Sequence, residues 1–160
     1  MQEHEQALQN LDSQEDAIEN LDTRVTANTS DIALLKERQI LAYGQYRGAG
    51  FTTTANTDVP TDAQVDIECP FACILFMNYV VDSRNNQTGA HNFYQLYLNG
   101  IALSFQNQAS YGFPGQAIPI SLTGIYPVSA GTHTVQVYAH PTAGQLEEHT
   151  KTLTVLAIRE

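Results

Sequence analysis

The sequence predicts a mainly β protein: an N-terminal α-helical coiled coil over residues 1–44, followed by an antiparallel jelly-roll β-sandwich over residues 45–160. Three observations predict it. Apolar residues recur at heptad spacing from Leu11 to Leu35, and a/d spacing kept over four heptads marks a coiled coil rather than one surface helix. After Gly44 the period changes from seven to two, the alternation of strands. The composition changes at the same place: every Pro, Phe and Cys, and seven of the eight Tyr, follow it.

Written as heptads, residues 4–42 place His4, Leu11, Ile18, Val25, Ile32 and Gln39 at a, and Ala7, Gln14, Leu21, Asn28, Leu35 and Ala42 at d. The seam is therefore Leu11, Gln14, Ile18, Leu21, Val25, Asn28, Ile32 and Leu35. Glu15, Asp22 and Lys36 fall at e, and Arg24, Asp31 and Arg38 at g, where Asp31 and a neighbour's Lys36 can pair with modest benefit. Leu34 and Ile40-Leu41 lie off the seam. β-branched residues at a with Leu at d ordinarily favour two strands, but polar seam residues such as Gln14 and Asn28 cost stability and fix register and strand number. The helix is expected to run to about Ala42 and stop at Gly44, a rod of about 60 Å at ~1.5 Å per residue.

The octet Val25-Thr26-Ala27-Asn28-Thr29-Ser30-Asp31-Ile32 resembles the Val-x-x-Asn-Thr-x-x-Ile element of trimeric coiled-coil stalks in bacterial trimeric autotransporter adhesins and phage fibres. The resemblance implies three strands, with the Asn28 side chains turned inward to coordinate a chloride-like anion on the threefold axis, and with Val25, Thr29 and Ile32 matching the partners of that Asn. Leu11-Asp12-Ser13-Gln14 with Ile18 resembles the glutamine-at-d variant. The competing reading of Asn28 is a register device in a dimer.

Charge excludes several classes. The formal net charge is −10, with nine acids and three bases before residue 45 and eight acids and four bases after it. No basic footprint for nucleic acid exists. The start, Met1-Gln2-Glu3-His4-Glu5, has neither a basic region nor an apolar stretch, so neither a signal peptide nor membrane insertion is expected, and the chain is expected to be made in the host cytoplasm. Cys69 and Cys73 would lie ~13 Å apart in an extended strand, too far for a disulfide, and read as two small buried thiols.

Apolar and aromatic runs separated by turn signals give strands at Tyr46–Thr54, Ala63–Glu68, Phe71–Val81, Asn92–Leu98, Ile101–Phe105, Ala117–Gly124, Thr132–Ala139 and Thr150–Ile158. Eight antiparallel strands suggest a jelly roll. In 132–139, Val135, Val137 and Ala139 face inward and Thr134, Gln136 and Tyr138 outward. The run 71–81 is apolar on both faces, as befits a strand between two layers, and the second layer can be a neighbouring subunit. Leu156 and Ile158 permit the same reading of the last strand. Ser129-Ala130-Gly131-Thr132-His133-Thr134-Val135-Gln136-Val137 with Lys151-Thr152-Leu153-Thr154-Val155 resembles the last two strands of trimeric jelly-roll heads related to tumour necrosis factor and complement, which also cap phage and bacterial fibres. Many immunoglobulin-like β domains share the Ala-Gly-Thr-His-Thr-Val string.

Asn99-Gly100 is a two-residue hairpin signal, and 126–131 is another short connection. The longer polar connections 82–91, 106–116 and 140–149 fall at one end if strands alternate, and the resembled heads put that end at the far tip. Exposed loops on a rigid scaffold are where binding resides. Arg84, Asn85, Asn86 and Gln87, then Asn107, Gln108, Tyr111 and Phe113 with Gln106, then Glu147 and Glu148, are the candidate receptor-binding residues; amides and aromatic faces suit carbohydrate. His91, His140 and His149 read as surface histidines without a metal-ligand spacing, so no metal is expected. No catalytic motif is present, so no enzyme is expected. The glycosylation patterns at Asn28 and Asn86 are expected to be unused.

The resemblances together imply a homotrimeric virion fibre or spike. Its N-terminal end would dock on a virion head or tail protein, and its tip would bind a host surface receptor, a glycan being a suitable class. The alternatives are a capsid decoration fibre without a receptor and the tip of a bacterial trimeric adhesin.

Overall fold

The computed structural model describes residues 2–37 and 39–160, excepting the side chains of Gln2, Glu3, His4, Ala7, Leu8, Gln9, Asp12, Leu34 and Glu37. The heptad assignments of His4, Ala7 and Arg38 and the off-seam reading of Leu34 lie outside the described residues. The chain forms two units, residues 1–39 and 40–160.

The first unit is one helix, α1 (Gln2–Glu37), of 36 residues, about 54 Å long at ~1.5 Å per residue. Leu11, Gln14, Ile18, Leu21, Val25, Asn28, Ile32 and Leu35 are all exposed in the single chain. Thr23 and Thr29 donate their hydroxyls to the carbonyls of Glu19 and Val25, at 2.9 and 2.7 Å, a bond that keeps a threonine helical by spending its side chain on the backbone.

The helix ends earlier than expected. Ile40, Leu41, Ala42, Tyr43 and Gly44 belong to a strand, because their backbone pairs with the last strand of the chain from Ile40↔Ile158 to Gly48↔Lys151. Neither Gln39 nor Ala42 is a helical seam residue, and Gly44 is not a helix stop. A Cβ on Gly44 would lie 2.3 Å from Val65 Cγ1, so this glycine permits close passage of one strand over another.

The second unit contains β1 (Ile40–Gly48), β2 (Thr52–Thr53), β3 (Val59–Cys69), β4 (Cys73–Asn85), β5 (His91–Leu98), β6 (Ile101–Ser110), β7 (Ile118–Val128), β8 (Gly131–Pro141) and β9 (Leu146–Arg159). All eight expected runs contain strand; the first is split between β1 and β2. One sheet has the order β1-β9-β4-β7, with β2 also on β9, and the other β3-β8-β5-β6. Every ladder is antiparallel. The first and last strands are neighbours and the chain crosses repeatedly between sheets, as in a jelly-roll sandwich. Between the sheets lie Leu75, Met77, Tyr79 and Val81 of β4, Leu153, Val155 and Ala157 of β9, and Tyr94 and Leu96 of β5, all buried. Val135, Val137 and Ala139 are buried and Thr134, Gln136 and Tyr138 are not, as the alternation in β8 requires.

Asn99 and Gly100 join β5 to β6 with φ of 51° and 78°, the two left-handed residues of the expected hairpin turn. Two local expectations fail. Cys69 and Cys73 form a disulfide; Cys69 closes β3 and Cys73 opens β4, and the reversal through Pro70, Phe71 and Ala72 brings their Cα atoms to 6.1 Å, so the extended-chain spacing does not apply. Phe71 accordingly sits in the turn, exposed, rather than in the strand. The strand β4 is also buried on one face only: Ile74, Phe76 and Asn78 are half-buried and Val80 is exposed.

Candidate functional site

The end of the sandwich away from Ile40 is built by three short segments held to one another. Strand β4 runs from Cys73, beside Arg159, to Asn85, beside Leu146, and therefore delivers residues 86–90 to that end. Segments 111–117 and 142–145 join them there. Gly89 N–H donates to the Tyr111 carbonyl at 2.8 Å, Gly115 N–H to the Asn85 carbonyl at 2.8 Å, Asn86 N–H to the Gln145 carbonyl at 3.2 Å, and Thr142 N–H to the His91 carbonyl at 2.8 Å. The three polar connections thus share one end.

The side chains expected to bind there divide into two groups. Asn86 and Gln87 are exposed on the first segment and Phe113 on the second, although Asn86 Oδ1 also accepts Gln145 N–H at 2.8 Å. Asn85, Tyr111 and Glu148 are buried and do not present themselves to a ligand. Asn85 Nδ2 donates to Asn92 Oδ1 at 2.8 Å and to the Ala143 carbonyl at 3.1 Å, and its Oδ1 accepts Gln87 N–H at 2.8 Å. The Tyr111 hydroxyl donates to Ser83 Oγ at 2.6 Å and accepts from Asn92 Nδ2 at 3.2 Å. Burial pushes that hydroxyl above its ordinary pKa range, so it stays protonated and bonded. A buried polar group must be paired, and these residues pair with one another, joining the three segments from below. Glu148 lies deeper, against Tyr79 and Lys151.

The remaining predicted residues lie on the flanks. Arg84 is half-buried on β4, 3.7 Å from Asp82. Glu147 is half-buried on β9, with His149 Nε2 at 3.9 Å. Asn107 and Gln108 belong to β6 because that strand continues to Ser110. With Gln106 and Phe93 they line a shallow groove on the outward side of the second sheet. Aromatic pairs that the sequence reading did not single out flank it: Phe93 stacks on His140 at 4.9 Å and Tyr97 on Tyr138 at 3.8 Å. Asp58 ties the two pairs together, accepting the Tyr97 hydroxyl at 2.9 Å and meeting His140 Nδ1 at 2.7 Å. Outward parity in β5 and β8 was legible in sequence, but the cross-strand register that stacks them was not.

The outward side of the first sheet is banded. One row across the strands is Ile158, Ile74 and Pro127, and the next is Tyr43, Leu156, Phe76 and Ile125. The third is Gln45, Thr154, Asn78 and Thr123, laced by bonds from Gln45 to Thr154 and from Thr123 to Asn78, both 3.1 Å. The first two rows are apolar and none of their residues is buried. Ile74, Phe76, Leu156 and Ile158 are half-buried and Tyr43, Ile125 and Pro127 exposed, so the two rows leave a contiguous apolar surface partly open to solvent, the kind of surface at which proteins associate.

No protein-family model matches the chain, and no curated protein matches it. Solved structures share its fold. The vertex protein P5 of PRD1 aligns with a TM-score of 0.52 at 11% identity, over 76% of this chain and 99% of that one. The tripod (BppUct-A-L) from the baseplate of bacteriophage Tuc2009 aligns with a TM-score of 0.50 at 16% identity, over 76% of this chain and 64% of that one. The T=1 particle protein derived from infectious bursal virus aligns with a TM-score of 0.50 at 10% identity over 75% of this chain. This chain spans about a third of the length of that particle protein, 33%. At these identities the likeness is one of fold.

Proposed function

We propose that the protein is a homotrimeric, non-catalytic virion fibre or spike. In this reading α1 is a coiled-coil stalk whose N-terminal end docks on a virion head or tail protein, and the β-sandwich presents its far end to a host surface receptor. The observation that carries the reading is the outward apolar pair of rows on the first sheet, centred on Phe76 and Leu156. The occupant is a second and third copy of this chain, because α1, taken by itself, also carries an uncovered apolar row, Leu11, Ile18, Leu21, Val25, Ile32 and Leu35, and self-association would give each unit's apolar face a like partner. The names of the PRD1 vertex protein and the Tuc2009 baseplate tripod agree with a place on a virion.

Asn28 suits an anion on the trimer axis. It is exposed on the same row as Val25 and Ile32, and while the neighbouring Thr29 hydroxyl donates to the Val25 carbonyl, the Asn28 amide on that row can donate outward. At the far end, Asn86, Gln87 and Phe113 are the exposed contact groups, and their amides and ring suit a glycan. A second reading, a capsid decoration fibre with no receptor, is favoured by the inward use of Asn85, Tyr111 and Glu148, which leaves a small tip.

Light scattering tests the assembly: three chain masses are expected, and one or two overturn the trimer. Competition of the full-length protein against virion adsorption separates the two readings. Loss of adsorption supports receptor binding, and unchanged adsorption at saturating protein supports decoration.

A further inference from the structure

Beneath the candidate tip lies a buried lysine for which neither stalk nor tip has a use. In β9, Val81↔Lys151 and Ser83↔Glu148 are successive pairs on one side of the ladder with β4, so β9 spends three residues where β4 spends two. The extra residue is a bulge, which reverses the inside–outside parity of a strand. Residues 148 and 151 would otherwise face opposite sides; here both point into the sandwich with fully buried side chains. Lys151 Nζ donates to Glu148 Oε2 at 2.6 Å and, from the other sheet, to Asp62 Oδ1 of β3. Tyr79 donates to Glu148 Oε1 at 2.9 Å, and Tyr46 donates to Asp62 Oδ2 at 2.5 Å. The Phe51 ring centroid stands 5.2 Å from Nζ.

We propose that Lys151 and Asp62 form an intramolecular isopeptide bond, Nζ to Cγ, with Glu148 transferring the protons, so that the two sheets are joined covalently across β9 and β3. The geometry supplies each requirement of an amide condensation. The nucleophile and the carboxyl are already in contact, with reaction entropy prepaid by the fold. An acid touches the nucleophile from the other side. The Lys151 side chain is fully buried, and holding a charge out of water is costly.

The reaction balances without an added reagent. An ammonium–carboxylate pair and an amine–carboxylic acid pair hold the same protons. Glu148 accepts one proton from Nζ and returns one to the Asp62 oxygen. The Nζ lone pair attacks Cγ and the C–N bond forms; Glu148 then takes a second proton from the nitrogen and passes it to the same oxygen, the C–O bond to that oxygen breaks, and one water leaves. Glu148 ends as it began. Burial raises the Glu148 carboxyl above the usual carboxylate range, which suits a group that must carry a proton. Burial also pushes Asp62 upward, but the hydrogen bonds from Lys151 and Tyr46 outweigh it and leave Asp62 lowered, so the starting state is the ion pair and the proton relay is needed. Asp62 is half-exposed, 50%, which gives the released water an exit.

The test is the intact mass of the full-length protein after the Cys69–Cys73 disulfide is reduced. A mass lower than the sequence mass by one water is expected, with a branched peptide joining residues 62 and 151 after proteolysis. Lys151→Met, Asp62→Ala and Glu148→Gln should each restore the full mass. The wild-type measurement decides the matter even if a variant fails to fold: a full sequence mass leaves only an ion pair and overturns the proposal, as does a water loss mapped to any other residue.

Discussion

Phe76 on β4 and Leu156 on β9 stand directly opposite each other on the outward side of the first sheet, and their own chain buries neither. Cross-strand apolar pairs stabilise a sheet when a further layer covers them. Phe76→Glu would put a carboxylate on that face, where the copies of the proposed trimer would bring such carboxylates together without partners. We expect the solution mass to fall to that of one chain while the far-ultraviolet circular dichroism keeps its β character. Ile101→Glu, at the exposed start of β6, should leave the mass unchanged. A trimer that survives Phe76→Glu would remove this sheet face from the interface.

The row on α1 makes a second expectation. On the heptad row Asn28 stands between Val25 and Ile32, and in the proposed stalk a polar seam residue exchanges stability for specificity. Asn28→Ile should therefore give a trimer that melts at a higher temperature and no longer responds to halide concentration. A lower melting temperature would mean that the amide layer holds the stalk together.

What the sequence disclosed, and what it concealed, follows from how far each signal reaches along the chain. Val135, Val137 and Ala139 alternate within one strand, and Asn99-Gly100 is complete in two residues, so both were legible. The helix end was not, because Ile40–Gly44 continues a helix-compatible pattern and only pairing with residues 155–158, at the far end of the chain, makes it a strand. The disulfide was concealed for a related reason: the reversal at Pro70 sets the distance between Cys69 and Cys73. At the candidate site, local reading found the loops but not which side chains they expose. Tyr111 reads as an aromatic loop residue, yet Ser83 and Asn92 draw it inward. Glu148 reads as a contact residue of the tip until the bulge in β9 turns it, together with Lys151, into the sandwich.

Asn85 and Tyr111 are expected to matter for stability. Asn85→Ala removes two donated bonds and one accepted bond and leaves Asn92 Oδ1 and the Ala143 carbonyl without that donor. Unpaired buried groups cost about 1–3 kcal/mol each, so a loss of about 2–3 kcal/mol is expected in urea unfolding. Tyr111→Phe, which deletes only the hydroxyl, should cost about 1–2 kcal/mol. Values near zero would return these residues to the candidate contact surface.

Tyr97 makes an alkaline limit. Burial, then its bond to Asp58, holds its hydroxyl above the ordinary 10.0. A raised folded pKa contributes stability that is fully present below the unfolded value and is lost as pH rises through the folded one. Unfolding free energy should therefore fall as pH climbs beyond 10.0, and Tyr97→Phe should show a shallower fall over the same range. Equal slopes would exclude Tyr97 as a source of alkaline sensitivity.

Phe113 separates the far end from the flank as the contact surface. It is 60% exposed on the segment between β6 and β7, and the hydrogen bonds described above that join the three segments do not involve its side chain. Exposed positions of this kind change stability by no more than ~0.5 kcal/mol, so Phe113→Ala should fold and assemble as the parent does. If the far end meets a receptor, the variant should lose most of its ability to compete with virions for cells, because a ring at the centre of a small contact supplies a large share of its apolar area. Gln106→Ala and Gln108→Ala, in the groove beside Phe93, should then compete as well as the parent. The opposite pattern, full competition by Phe113→Ala and loss by the two glutamine variants, would move the contact surface to the aromatic flank of the second sheet, where Phe93 and His140 already stack.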